Sequence, residues 1–528
     1  MRSLKSEQKA SFQILFLGSM ICFGLVSTSF TTTYQAANAS AAACVSYENT
    51  TNTILITCDA NFTDVRRQII DSSILESQGS GNYILNAKIV VNDGATFSMS
   101  SSELEWLKIS GQNSITVDGK IMFDGIKITS WSTTSNSVIE ENTEGTIPRA
   151  WILLYGSEGG HIRSSEISHL GYETPTTGRG GLELQGSSHD FEISNSEFHH
   201  MWFAFYSNNA SNVRIDSNDY HHNLLYALDP HTGTHEMQIT NNQIHHNKGF
   251  GIICSLDCYD ILIEGNDVYS NGNAGIMLSR NTYNSEVSNN KVYDHPSNYG
   301  IFVSQSPNNQ IHNNILTNNM YGIYVKEATS TGNIIAHNSI NGAKYSMVFA
   351  TATSNTATNN AFDGVSSYEY FITLGAELTI DSQNFSSTQI RGQTDTNYVT
   401  IQNSGIIKIG QDVIDTDTNP YTVSLSSATI TVDSVSADTS ASLTSGENEK
   451  TTTTTADAEG NTGPPTNQEG NTAEAIDYNA TTTTAAGAAN HTNRSEDDNN
   501  SNEVIANTNS PPMVDEGDDD GTVDSAAR

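Results

Sequence analysis

At 528 residues the chain has room for several domains. Its 59 acidic residues outnumber 23 basic ones, giving a net charge of −36. No basic stripe interrupts that balance, which excludes nucleic acid as a partner.

Residues 1–43 read as a signal peptide and spacer. Arg2, Lys5 and Lys9 precede an apolar stretch from Phe12 to Val26, and small residues follow up to Ala43. Gly18, Ser19 and Gly24 break the stretch, so cleavage is expected rather than a retained anchor. The mature protein then has no membrane span and is secreted, extracellular or at the cell surface. Cleavage removes Cys22 and leaves the close pairs Cys44/Cys58 and Cys254/Cys258. Disulfides within each pair suit an oxidising compartment, and buried free thiols are the other reading. Residues 44–79 make an N-terminal cap around Cys44 and Cys58. Tyr83–Phe97 and Trp106–Trp131 read as strands opening the main body.

One register organises residues 80–365. Asn218, Asn242, Asn266, Asn290, Asn314 and Asn338 follow one another at intervals of 24 residues. A period of that length, with short β-like runs and Asn-rich turns, specifies a β-solenoid. Leucine-rich repeats share the length but need Leu ladders, which are absent. The fold class is therefore all-β, a right-handed parallel β-helix, since parallel crossovers take that hand. Stacked Asn side chains can hydrogen-bond along its axis. Residues 366–435 alternate as strands (Tyr398–Ile407, Tyr421–Val432) but leave the register, so they are the last coils or a β cap. From residue 436 the chain is a Thr/Asn-rich tail, with eighteen acidic residues against Lys450, Arg494 and Arg528. Such a segment buries too little apolar surface to offset its ordering entropy and is expected to be disordered.

In each coil a small residue introduces a strand. Examples are Gly181-Leu182-Glu183-Leu184-Gln185, Ala204-Phe205-Tyr206-Ser207-Asn208, Ala227-Leu228-Asp229-Pro230-His231 and Gly322-Ile323-Tyr324-Val325-Lys326. Positions one and three after the small residue are mostly apolar (Leu182, Leu184, Phe205, Leu228, Leu278, Val325) and point inward. Positions two and four must then face out. That face gathers Asp229 and His231, with Tyr206 one coil before and Glu183 two before. Ser255 and Ser279 lie above His231, and Lys326 is four coils on. With coils about 4.8 Å apart, Tyr206, Asp229 and His231 fall within one sugar-sized patch on rigid strands. The pairs His199/His200, His221/His222 and His245/His246 suggest a metal site, but they occupy the repeating turn and read better as turn-ladder residues. Calcium is not indicated either, because no Asp/Gly repeat of the calcium-binding kind is present. No cofactor is expected.

The stretch Tyr226-Ala227-Leu228-Asp229-Pro230-His231 resembles the Tyr-Gly-Phe-Asp-Pro-His signature of the mannuronan C5-epimerases, the alginate epimerases. Leu170-Gly171-Tyr172 with Gly181-Leu182, then Phe205-Tyr206-Ser207, Gly251-Ile252-Ile253 and Gly275-Ile276-Met277-Leu278-Ser279-Arg280, look like that family's successive coils. The resemblance runs from about Trp151 to Gly342. It implies that His231 takes the C5 proton of a mannuronate unit, that Asp229 holds the imidazole and that Tyr226 relays a proton. Histidine suits the task on its own chemistry, as a base with a pKa near ambient. The enolate-like intermediate also needs its charge neutralised. Family members carry an arginine for that purpose where this chain has Leu256, after a one-residue shortening of the turn. Arg280, one coil on, or Arg179, before the Gly180-Gly181 strand, would have to substitute.

The function expected is thus C5-epimerisation of an anionic polysaccharide by a monomer. The substrate would be bound through Tyr206, Arg179, Arg280, Glu183 and Lys326. A polyuronate lyase shares the proton abstraction but expels the group at C4. A non-catalytic surface protein could use the same solenoid as a polysaccharide platform.

Overall fold

The computed structural model describes residues 44–140, 142, 145–173 and 178–435. The expected signal peptide, spacer and acidic tail lie outside the described residues. The rest is a right-handed β-solenoid of about 13 turns, whose strands pair in parallel from coil to coil along three faces. One face carries Trp151–Tyr155, Gly181–Gln185, Phe203–Asn208, Leu228–His231, Ile252–Cys254 and Ile276–Ser279. It continues through the second halves of Lys291–Ser304 and Ile315–Lys326 to Tyr345–Ala350 and Tyr368–Thr373. A second face runs from His189–Ser194 through Arg214–Asp216 and Gln238–Thr240. A third includes Glu197–His199, Asp219–His221 and Gln243–His245.

The inward alternation read from sequence is the core itself. Leu182, Leu184, Phe205, Leu228, Ile252, Leu278 and Val325 are all 0% exposed. The small residue ahead of each strand is required by close coil packing. A Cβ on Gly251 would meet the Gly275 carbonyl oxygen at 2.6 Å, and one on Gly322 would meet that of Ser346 at 2.5 Å. At the corners, the Asn register is a buried amide ladder. Asn242 Nδ2 donates to Asn266 Oδ1 at 3.0 Å, and the same 3.0 Å bond recurs from Asn266 to Asn290 and from Asn290 to Asn314. Each amide also donates to a backbone carbonyl, as Asn266 does to Ile239 at 2.9 Å. An otherwise costly buried polar group is thereby satisfied on every rung. A parallel ladder of Asn223, Asn247 and Asn271 runs beside it.

Both ends of the core are covered. At the N-terminus the helix Phe62–Gln68 is closed by a capping box between Asn61 and Asp64 and buries Phe62 and Val65. Cys44 and Cys58 are disulfide-bonded there. At the C-terminus the direction reverses. Thr388–Gln393 still stacks in parallel on the coil below but pairs antiparallel with Thr429–Ser434, and Asn397–Gln402 pairs antiparallel with Tyr421–Leu425. Among the described residues, no helix is long and apolar enough to cross a membrane.

The second cysteine pair is not bonded: Cys254 and Cys258 are free, buried thiols. Cys254 fills an inward core position. Cys258 stands in a turn column with Thr234 and Thr282, whose hydroxyls donate to the carbonyls of His231 and Ser279 at 2.7 and 2.9 Å. The Cys258 thiol does the same to Ser255, at 3.1 Å. Burial raises both thiol pKa values. Their spacing reflects one core position and one turn position, not a bridge.

Candidate active site

Strand register places the predicted outward residues on two adjacent ladders. Glu183 aligns with Tyr206 and Tyr206 with Asp229. Asn208 aligns with His231, His231 with Ser255, and that ladder continues through Ser279 and Ser304 to Lys326. Although they lie on an outer face, Asp229 and His231 are only 3% and 6% exposed.

The imidazole of His231 is held on both nitrogens. Its Nδ1 lies 2.6 Å from Thr232 Oγ1 and 3.4 Å from the Tyr206 hydroxyl. Its Nε2 lies 3.4 Å from Arg280 Nη2. A guanidinium only donates, so Nε2 must present its lone pair toward Arg280 and Nδ1 must carry the proton. Burial first, and the Arg280 charge second, push the His231 pKa down from 6.5 to about 4. At neutral pH this is a neutral histidine with its basic nitrogen beside a fixed positive charge.

Arg280 reaches this position because of the turn that ends each strand. Thr232, Leu256 and Arg280 follow His231, Ser255 and Ser279, and all have positive φ (34°, 59° and 46°). Leu256 and Arg280 are therefore the same turn position on successive coils. The Arg280 side chain folds back across the intervening rung, donating from Nε to Ser255 Oγ at 2.9 Å. Arg179, the other substitute, stacks its guanidinium 5.2 Å from the Trp151 ring and approaches the Tyr172 hydroxyl at 3.4 Å.

The remaining predicted residues are placed as follows. Tyr226 sits half-buried between Phe203 and Phe250, with ring centroids 5.6 and 5.3 Å away. Lys326 is on the ladder of His231 but four rungs off, and pairs with Glu327 at 3.1 Å. Glu183 is 3% exposed. It accepts from the backbone N–H groups of Gly178 and Gly180 and from the Gln185 amide. Its carboxylate is thus engaged in holding residues 178–180, and burial raises its pKa.

Sequence reasoning missed Thr232 and Arg149. Thr232 is legible afterwards as the turn residue next to His231. Arg149 leaves no pattern: it is fully buried and donates to the carbonyls of Gly171, His200 and Leu170 at 2.7, 2.8 and 3.2 Å.

The histidine pairs form two stacked columns on the third face. Within each pair the Nδ1 atoms are 2.8 Å apart. The ring centroids of each pair are 5.0 Å apart, about the N···N distance plus two ring radii. The nitrogens therefore point straight at one another, the geometry of an N–H···N hydrogen bond.

A family model described as right handed beta helix region matches residues 124–252 and 180–340. A mannuronan C5-epimerase of Pseudomonas syringae pv. tomato is 25% identical over 180 residues, 31% of this chain and 33% of that protein. The mannuronan C5-epimerase of Pseudomonas aeruginosa is 26% identical over 179 residues, 32% and 33% of the two chains. The chain thus matches about a third of the length of these curated relatives. Among solved structures, the periplasmic alginate epimerase AlgG superposes with a TM-score of 0.52 at 22% identity, covering 64% of this chain and 80% of that one. By sequence over these coils and by fold, the chain is a right-handed parallel β-helix protein related to the mannuronan C5-epimerases.

Proposed function

We propose that this protein epimerises mannuronate units at C5 in an alginate-like polyuronate, and that it does so outside the cytoplasm as a monomer. The observation that carries this reading is the 3.4 Å approach of His231 Nε2 to the Arg280 guanidinium. The carboxyl group of a uronate is bonded to C5, the carbon that loses its proton. A carboxylate drawn to Arg280 therefore brings the C5–H bond to the basic nitrogen.

His231 Nε2 takes the proton, and the C–H electron pair moves into the carboxyl group as an enediolate. Arg280 stabilises the added charge, the role assigned by resemblance to the arginine missing at Leu256. A pKa of about 4 makes His231 a weak base before substrate binds. The incoming carboxylate offsets the Arg280 charge and raises that basicity when substrate is present. Proton return must come from the opposite face of the sugar, so the donor is not His231. Tyr226 relays a proton by the family resemblance, which makes it the candidate donor, and Asp229 holds the imidazole. A phenol proton delivered to C5 completes the inversion, and solvent exchange resets both groups.

The deciding experiment is incubation with polymannuronate in deuterated water, read by proton NMR. Inverted residues with deuterium at C5 are expected. Unsaturated chain ends would make the protein a lyase. Absence of exchange on every uronan tried would make it a binding protein.

A further inference from the structure

Past His231 in the C-terminal direction, the same outer face changes character. The ladder of Asp229 continues as Ile253, Met277, Phe302 and Tyr324. Beside it Tyr299, Tyr321 and Tyr345 align on successive coils. Phe250, Ile253, Ala274 and Met277 form an apolar cluster separate from the core, with Tyr226 packed on one side and Tyr299 and Phe302 on the other. The candidate site therefore runs without a break into an aromatic strip.

The rings of this strip stack on one another. Tyr299 and Tyr321 have centroids 5.0 Å apart at 19°, Tyr321 and Tyr345 are 5.4 Å apart at 11°, and Phe302 and Tyr324 are 5.3 Å apart at 18°. All of these side chains are half-buried. Neighbouring rungs occupy the ring faces, so edges and phenol hydroxyls are what remain to meet a ligand. An aromatic ring is electron-rich on its face and electron-poor at its edge. Mutual stacking thus hides the negative part of each ring and presents the positive part. Burial raises the pKa of Tyr321 and Tyr324, so both hydroxyls stay protonated donors. Formal positive charge is scarce here: Lys326 is paired with Glu327 at 3.1 Å, and Lys344 lies over the Tyr345 ring at 5.3 Å.

We propose that this strip is the track for the polyuronate chain beyond the reacting sugar, on the C-terminal side of His231, with tyrosine edges and hydroxyls serving where a polyanion would otherwise need a row of basic residues. This rests on the reading of the site as a polyuronate epimerase. Its occupant follows from continuity with that site and from donors repeating at the coil spacing, about 4.8 Å. Affinity then depends on sugars extending over coils 299–345.

The test uses the full chain and a Tyr321→Phe/Tyr324→Phe/Tyr345→Phe variant, which keeps every ring and removes only hydroxyls. Binding of short and long mannuronate oligomers is measured by titration calorimetry, with an unchanged melting temperature confirming that the variant folds. Wild-type affinity should rise with oligomer length. The variant should bind long oligomers about tenfold or more weakly, as expected for lost hydrogen bonds to charged groups, and short ones nearly as well as wild type. Equal binding of long oligomers by both proteins overturns the track. So does a neutral mannan that binds as tightly with the same hydroxyl dependence. C5 exchange without any length dependence overturns the track and leaves the epimerase standing. Length-dependent binding without C5 exchange does the reverse.

Discussion

His231 and His221 both stand on outer faces of one solenoid, at the ends of consecutive strands of the same turn. Their surroundings differ in kind. His221 is a rung: its ring stacks on His199 at 5.1 Å and on His245 at 5.3 Å, and its Nε2 meets Glu197 at 2.9 Å. A histidine that recurs with the coil repeat is serving the stack. His231 has Asn208 before it and Ser255 after it on its ladder. Its partners Tyr206, Thr232 and Arg280 come from three coils and do not recur. In a repeat protein, what recurs holds the coils together, and a chemically capable residue that interrupts the repeat is where function is to be sought.

Substitution at the two histidines should separate these roles most sharply. His231→Ala is expected to lower the rate of C5 deuterium exchange by about a thousandfold or more, as loss of a general base does, while polymer binding persists. His221→Ala should leave exchange within about twofold, because that ring meets the two histidine columns and Glu197 and not the His231 site. Exchange at the wild-type rate in His231→Ala would place the base elsewhere.

Arg280→Gln comes next, with an expected loss of about 100-fold in turnover, typical of removing one stabilising donor. It also has a signature in pH. The base must be neutral to act, so kcat/KM should rise with pH through about 4, the depressed His231 value, and then level off. Removing the Arg280 charge relieves the smaller cause of that depression, so the acid limb should move upward. Burial persists in the variant and should keep the limb below 6.5. An unmoved limb would show that the guanidinium does not act on this imidazole.

A stability effect tests the opposite half of the comparison. Asn266 donates to Asn290 and Ile239 and accepts from Asn242. Asn266→Ala should cost about 2 kcal/mol or more, since it strands buried donors and acceptors above and below. Denaturant unfolding measures it, and a loss under about 0.5 kcal/mol would mean that the ladder is decoration.

The same contrast explains what could be read from the sequence. The solenoid, its hand, the inward and outward faces and the Asn ladder are repetitive, so many residues state each of them at once. The placement of Tyr206, Asp229 and His231 followed from strand alternation alone. Failures came where a contact is singular. Cys254 and Cys258 are close in sequence, but spacing does not show that one side chain enters the core and the other closes a turn. Glu183 occupies an outward position, yet residues 178–180 just before it fold back onto its carboxylate, a local turn with no periodic trace. Arg149 is the extreme case, a buried clamp at a site where nothing in the pattern calls for an arginine.

The smallest predicted effect concerns the histidine columns as a source of acid sensitivity. His169 and His200 stack at 5.0 Å, and His200 and His222 at 5.5 Å. Burial first, then neighbouring imidazoles and Arg149, hold His200 down at about 4 and His169 at about 3, and His222 is also lowered. The carboxylates at hand, Glu140 and Glu166, lie 3.6 Å from His169 and 3.1 Å from His199, and do not reverse these shifts. A depressed folded-state pKa means that the unfolded chain binds the proton first. The stability these rings contribute is therefore complete above about 6.5 and declines as pH falls toward 4 and then 3. The unfolding midpoint should drop between pH 7 and pH 4.5, and His200→Asn should flatten that slope without touching the acid limb of kcat/KM, which belongs to His231. Because His200 and His222 are partly solvated, the change in slope should be modest. A variant as acid-sensitive as the wild type would remove the columns from the account. A shifted catalytic limb would mean that the two faces communicate.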